Sequence, residues 1–257
     1  MADFSNISDK FLIEIQAIEQ QLLKRIEAML ISGASPAELA EIISEIDFFE
    51  ELQSLGYESA VTNYFDNYPD ILRDIMTQAQ RLGVTNITAI TAQDLELIEQ
   101  IQADVLLGRA ELYGKQLKSK LIQGILTGVQ TKDIVSGLTD IPLTDNQLTV
   151  AVNTGVNEFN RIATAEVYLG KPEQRFILAG PEDIRTRASC QSVLAYQPSE
   201  GWTKQQIDEG AATKIVQQHA SEFAKNLSEL NNAVRTPYTF ITAGGFNCRH
   251  DFIPIGD

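Results

Sequence analysis

Cysteine and histidine are scarce in this chain, with two of each in 257 residues. So few thiols exclude a disulfide-rich secreted scaffold, which staples a small core with several bridges. Positive charge is short as well: 20 lysines and arginines stand against 35 acids, a formal charge of −15. A general nucleic-acid binder needs an electropositive footprint to neutralise phosphates, so the balance disfavours that class while leaving room for a local basic patch. No run of about eighteen apolar residues occurs, and no membrane span or membrane partner is expected. The opening residues, Met1 to Asn6, carry no basic flank followed by an apolar run. No secretory signal is therefore expected, and the chain reads as soluble and made in a cytoplasm. Three catalytic signatures are also missing: a Gly-x-Ser-x-Gly elbow, a Gly-x-x-x-x-Gly-Lys phosphate loop and a His-Glu-x-x-His pair.

What is present is a globular composition, 44% hydrophobic, in a chain long enough for one large domain or two smaller ones. The first two-thirds read as helices. Phe11, Leu12, Ile15, Ile18, Leu22, Ile26, Met29 and Leu30 recur at the three-and-four spacing of one helix face, with Ser8 or Asp9 as cap and Gly33 as stop. Ser35-Pro36-Ala37-Glu38 combines a capping serine, proline at the first helical position and a glutamate that closes a capping box. Leu39, Ile42, Ile43, Ile46, Phe49 and Leu52 then form a second stripe. The expectation is an antiparallel hairpin burying its own seam rather than a coiled coil with a partner chain.

Tyr57, Tyr64, Phe65 and Tyr68 cluster, and without nearby Arg or Lys they read as core rather than as a stacking surface for bases. Pro69 opens a further helix ended by Gly83, and residues 84–90 read as a link. Thr91-Ala-Gln-Asp94 has capping-box spacing, and the pattern predicts a long helix to about Leu126. Its expected buried side is Leu95, Ile98, Ile101, Val105, Leu112, Leu117, Leu121 and Ile125. Gly108, Gly114 and Gly124 inside it each cost about 1 kcal/mol relative to alanine and suggest close crossings or a bend. A short helix over Thr131–Gly137 follows, and Thr144-Asp-Asn-Gln147 caps a last long helix ending near Gly170.

After Gly170 the pattern changes. Arg175–Ala179 reads as a strand between Pro172 and Gly180-Pro181, Lys204–Asn231 is helical in composition, and Tyr238–Thr242 reads as another strand. Phe252, Ile253 and Ile255 around Pro254 read as a closing strand. The expected fold is mainly α: a multi-helix region over residues 1–170, then a small α+β domain over 171–257.

Chemistry concentrates around Cys190 and Cys248. A zinc site could draw on Cys190, Cys248, His250 and either His219 or Asp183. Cys190, however, lacks a near partner, and Cys248-Arg249-His250 looks too tight for a usual ligand pair, so neither a metal nor another cofactor is expected. A Cys190–Cys248 disulfide would stabilise by about 4 kcal/mol through loop closure, but a cytoplasm keeps thiols reduced. Two neighbouring buried thiols are the favoured reading. Hydrolysis by Cys190 or Ser189 with a histidine and Asp183 lacks the usual nucleophile setting, so no catalytic residue is assigned. Arg187 and Arg249 are expected to pair with Asp183, Glu182 or Asp251.

Asp183-x-x-Thr186-Arg187-x-x-Cys190, followed after an insert by Gly244-Gly245-x-Asn247-Cys248-Arg249-His250 and an apolar strand, resembles the C-terminal end of phage minor head proteins of the MuF-type head-morphogenesis family. The preceding helix is similar to the family layout at Leu148, Phe159-Asn160-Arg161 and Ala163-Thr164-Ala165-Glu166. Gly245-Phe246 stands where the family has His-Pro, His250 where it has its last Cys, and a second cysteine near the Asp segment is absent. Those departures weaken a metal reading. The resemblance covers about residues 145–255 and implies a virion component, at the portal vertex or in the head interior. Such a component enters the procapsid in a few copies and assists head assembly and DNA packaging or delivery. Portal protein is the implied partner, with the major capsid protein second; packaged DNA is a third that the charge does not indicate. Because the chain stops soon after the motif, no fused toxin or enzyme domain is expected. Two other readings compete: a metal-dependent nuclease or hydrolase using His250, Asp183 and Asp251, and an assembly scaffold removed after use.

Overall fold

Local capping and periodicity produce a succession of helices that the computed structural model describes over residues 5–32, 34–85, 92–180, 182–183, 186–235, 237–243, 248 and 250–256. In chain order they begin with α1 (Ser5–Leu30), α2 (Pro36–Glu45), α3 (Phe48–Ser54), α4 (Tyr57–Phe65) and α5 (Tyr68–Arg81). There follow α6 (Ala92–Leu126), α7 (Thr131–Leu138) and α8 (Asn146–Val167). The chain falls into two units. One takes Asp3–Asn67 and Glu96–Asn153; the other takes Tyr68–Leu95 and Thr154–Asp257. The change of pattern at residue 170 lies inside the second.

In the first unit α1 buries Phe11, Ile15, Ile18, Leu22, Ile26 and Leu30 along one face. It packs that face against α4, α7 and α3, so of the stripe expected to form a hairpin with α1 only the later part, in α3, is among these partners. The Ser35 capping box is complete: Glu38 N–H donates to the Ser35 hydroxyl, and Ser35 N–H donates to Glu38 Oε2 at 2.8 Å. The single stripe expected over residues 39–52 breaks into two helices, because Ile46 turns extended and Asp47 caps α3 by accepting from Phe49 N–H at 2.9 Å. Leu39, Ile43, Phe48 and Leu52 are buried, while Ile42 is exposed.

Tyr57 and Tyr64 are core residues with satisfied hydroxyls, donating to Leu106 O at 2.9 Å and Val152 O at 2.8 Å. Sequence reading missed Glu19, a carboxylate on the buried face of α1. It accepts from Tyr113 Oη at 3.1 Å and from Leu143 N–H at 2.8 Å.

Helix α6 runs as expected from Ala92 to Leu126 and buries Leu117, Leu121 and Ile125 as expected, but its earlier part packs through a different face. Leu106, Ala110, Tyr113, Leu117, Leu121 and Ile125 are buried; Ile101, Val105 and Leu112, expected inside, stand in solvent. The small residues decide this. A Cβ on Gly114 would sit 3.2 Å from Phe48 Cβ, and one on Gly124 would sit 2.9 Å from Ile134 Cγ1, so these are the close crossings with α3 and α7. Around Gly108 nothing lies within 4 Å, so that glycine serves no crossing.

The second unit is built on three antiparallel strands in the order β2-β1-β3: β1 (Arg175–Ala179), β2 (Trp202–Thr203) and β3 (Asp251–Pro254). Phe176 pairs with Trp202 on one side of the central strand, and Ile177 pairs with Ile253 on the other. Helices α9 (Ala188–Tyr196), α10 (Lys204–Asp208), α11 (Ala211–Phe223) and α12 (Leu227–Arg235) complete it, with α11 packed on α9 and α12. From α5 the Tyr68 ring stacks on Phe159 of α8 at 4.1 Å. Gly201 is required by its position: φ is +66°, and a Cβ would lie 2.5 Å from Phe176 O.

Tyr238–Thr242 is not a strand. Thr239 and Thr242 donate backbone N–H groups to each other's hydroxyls, at 3.2 and 3.1 Å, and Ala243 N–H closes a turn on Thr239 O at 2.9 Å. Threonine side chains that satisfy nearby backbone compete with a ladder, and here they win. Tyr238 and Phe240 are buried by packing rather than by pairing. Among the described residues no helix is long and apolar enough to cross a membrane.

Candidate functional site

Four segments of the second unit converge on one buried cluster. Helix α9 supplies Cys190, the segment entering β3 supplies Cys248 and His250, the turn before it supplies Tyr238, and α8 supplies Asn157 and Arg161. Cys190, Cys248 and His250 are 1%, 3% and 2% exposed. The two sulfurs lie 3.6 Å apart, well beyond the roughly 2.05 Å of a disulfide, and His250 Nδ1 lies 3.8 Å from Cys248 Sγ. Tyr238 Oη donates to Cys190 Sγ at 3.3 Å. Cys248 and His250, whose two-residue spacing looked too tight for a usual ligand pair, do bring their side chains together.

Arg161 holds this arrangement together. Its Nε donates to Asp251 Oδ1 at 2.9 Å, its Nη2 to Cys248 O at 2.8 Å and His250 O at 2.9 Å, and its Nη1 to Ile241 O at 3.2 Å. Asn157 Nδ2 adds a second donor to Cys248 O at 3.0 Å. A planar guanidinium suits this task, because its donors fan out in fixed directions that one ammonium could not match. Sequence reading noted Arg161 only as part of the family layout. The signal available was that Arg161 is the one lysine or arginine in the α8 sequence, a helix otherwise rich in apolar and small residues.

The electrostatics follow from burial and these partners. The hydrogen bond from Cys190 draws the Cys248 thiol well below its ordinary value; burial opposes this, and His250 and Arg161 assist. The same bond holds the shared proton on Cys190, whose thiol is pushed far up, burial adding to the effect. Burial also raises the Tyr238 hydroxyl well above its ordinary value. Asp251 is raised by burial although it faces Arg161 at ion-pair distance, so desolvation outweighs the attraction there. His250 Nε2 is buried with no hydrogen-bond partner among the described residues.

The remaining residues singled out from the sequence divide clearly. Asp183 and Thr186 form a reciprocal turn, Asp183 N–H to Thr186 Oγ1 and Thr186 N–H to Asp183 O, both at 2.9 Å. That turn leads into α9, with exposed Arg187 at its N-cap. Asp251 pairs with Arg161. His219 stacks on Tyr196 at 3.8 Å and meets Glu222 at 2.7 Å, taking it out of the cysteine cluster. Gly244, Gly245, Asn247 and Arg249 lie outside the described residues, and with them the expected glycine turn and the Arg249 ion pair.

A thiolate beside an imidazole can act as a nucleophile or as a metal ligand. A nucleophile must be approached. The cavity of about 600 Å³ that borders this region lies between the start of α9 and α12, lined by residues such as Arg187, Ser189, Asn226 and Glu229. Neither sulfur nor the His250 ring lines it. No protein-family model matches the chain, and neither a curated protein nor a solved structure matches it.

Proposed function

We propose that this chain is a structural minor head protein of a tailed bacteriophage, associated with the portal and assisting head assembly and DNA packaging or delivery. The observation that carries the reading is the convergence of the two segments that resemble the MuF-type signature. Separated by 58 residues, Cys190 and Cys248 meet in one buried cluster, clamped by Arg161 from the helix that also resembles the family. A signature spent on packing and backbone hydrogen bonds behaves as a structural element. The burial of both sulfurs and of His250 weighs against the hydrolase alternative, which needs a path for substrate.

The solvent face of α6 supports a docking role for the helical part. Leu97, Ile101, Val105 and Leu112 are 56%, 58%, 51% and 45% exposed at four-, four- and seven-residue intervals, so they form one apolar stripe. Such a stripe is suited to a partner surface, here the portal or the capsid shell. The experiment is purification of portal-containing procapsids and mature particles from infected cells, followed by detection and counting of this chain. Retention in both supports the reading. Presence in procapsids alone favours the removable scaffold, and absence from both refutes a head protein of either kind.

A further inference from the structure

We propose that Cys190, Cys248 and His250 are the protein ligands of a single structural zinc ion. Tetrahedral zinc holds sulfur at about 2.3 Å and imidazole nitrogen at about 2.0–2.1 Å, which sets ligand-to-ligand edges of about 3.8 Å for S–S and about 3.6 Å for S–N. The separations found are 3.6 Å between the sulfurs and 3.8 Å from Cys248 Sγ to His250 Nδ1, and all three donor atoms lie within 4.8 Å of one another. Two edges thus match that tetrahedron, and the third, from Cys190 Sγ to the His250 nitrogen, lies within 4.8 Å and closes to about 3.6 Å around the ion.

Charge and surroundings favour the same occupant. Two thiolates and a neutral imidazole carry −2, which a zinc ion cancels, so the filled site is neutral in a region sealed from water. Arg161 is committed to Asp251 and to the carbonyls of the two ligand residues, fixing the backbone from which Cys248 and His250 project. Tyr238 Oη points a donor at Cys190 Sγ, the outer-sphere hydrogen bond that a metal-bound thiolate accepts. The fourth corner is taken by an oxygen or nitrogen donor, giving two sulfurs in a four-coordinate shell. The ion would tie α9 to the chain entering β3 and close a 58-residue loop with no oxidant, a staple that works in a reducing cytoplasm where a disulfide does not. The proposal does not depend on residence in a virion.

Metal content and spectroscopy of the full chain test it. Protein purified without a polyhistidine tag should carry one zinc per chain, with an X-ray absorption shell of two sulfurs and two light donors. After chelation, cobalt(II) should restore a thiolate-to-metal charge-transfer band and the visible bands of tetrahedral cobalt at one equivalent. Cys190→Ser and Cys248→Ser should each abolish that charge transfer or shift it to a single-thiolate band. Should a variant fail to fold, the wild-type stoichiometry, absorption shell and cobalt spectrum still decide. Three results would overturn the proposal: a folded, metal-free wild type that gives no cobalt band; a band unchanged in folded serine variants; or ready formation of a Cys190–Cys248 disulfide in air with zinc in excess.

Discussion

Replacing Arg161 by methionine keeps much of the aliphatic length of the side chain and removes every donor of its head. Four acceptors lose a partner: the Asp251 carboxylate and the carbonyls of Cys248, His250 and Ile241. Arg161 is 3% exposed and Asp251 8%, so water cannot take its place without opening the unit. Breaking a buried ion pair by deleting one member costs about 3–5 kcal/mol, because the surviving charge stays desolvated. Each abandoned buried carbonyl costs about 1–3 kcal/mol in isolation, but Cys248 O keeps its bond from Asn157 and such losses do not add fully. The expected destabilisation is therefore about 4–6 kcal/mol, a large fraction of the roughly 5–15 kcal/mol that holds a domain together. Urea unfolding followed by far-ultraviolet circular dichroism measures it, with chelator present so that metal release does not add to the loss. A second arm isolates the charge. Asp251→Asn combined with Arg161→Met removes the stranded carboxylate, and the pair should lose less than the sum of the singles by about 1–3 kcal/mol. A loss below about 1 kcal/mol for Arg161→Met, or strict additivity with Asp251→Asn, would refute the idea that this guanidinium clamps the closing segment.

The glycines of α6 give a contrasted pair. Gly124→Ala drives a Cβ to 2.9 Å from Ile134 Cγ1, so its overpacking outweighs the helix-propensity gain and thermal melting should fall by a net loss of about 1 kcal/mol. Gly108→Ala meets nothing and should stabilise by about 0.5–1 kcal/mol in the same assay. Ile101→Ser with Val105→Ser should leave stability within about 0.5 kcal/mol, since both are solvent-exposed, while lowering incorporation of the chain into particles. Wild-type incorporation would remove the stripe as a docking face. Glu38 is held below its ordinary value of 4.5 by hydrogen bonds from Ser35, the side-chain bond first and the backbone bond second. Its folded pKa being depressed, the cap contributes above that ordinary value and is lost as pH falls through the lowered one. A carboxyl titration by NMR should place its midpoint below 4.5, and a midpoint at or above it would contradict the box.

Features written in neighbouring residues were legible in the sequence alone. Ser35-Pro36 and Glu38 determined where α2 starts, the apolar run between Pro172 and Gly180 determined β1, and Asp94 to Leu126 determined one uninterrupted helix. Each of these rests on hydrogen bonds or sterics within a few positions, so no partner is needed to read it. Which face of α6 is covered was not legible. Its bulky stripe through Ile101, Val105 and Leu112 and its small-residue face around Ala110 and Gly114 are both apolar, and only the fit of α3 and α7 against the glycines chose between them. Tyr238–Thr242 has strand composition, yet two threonine hydroxyls satisfied the backbone locally and left a turn. The same division runs through the candidate site. Cysteine and histidine content named Cys190, Cys248 and His250 as the residues to watch. Their approach to within 4.8 Å, with Arg161 and Tyr238 as supports, is a property of tertiary packing: donors 58 residues apart meet only when α9 and the chain entering β3 dock on the same core.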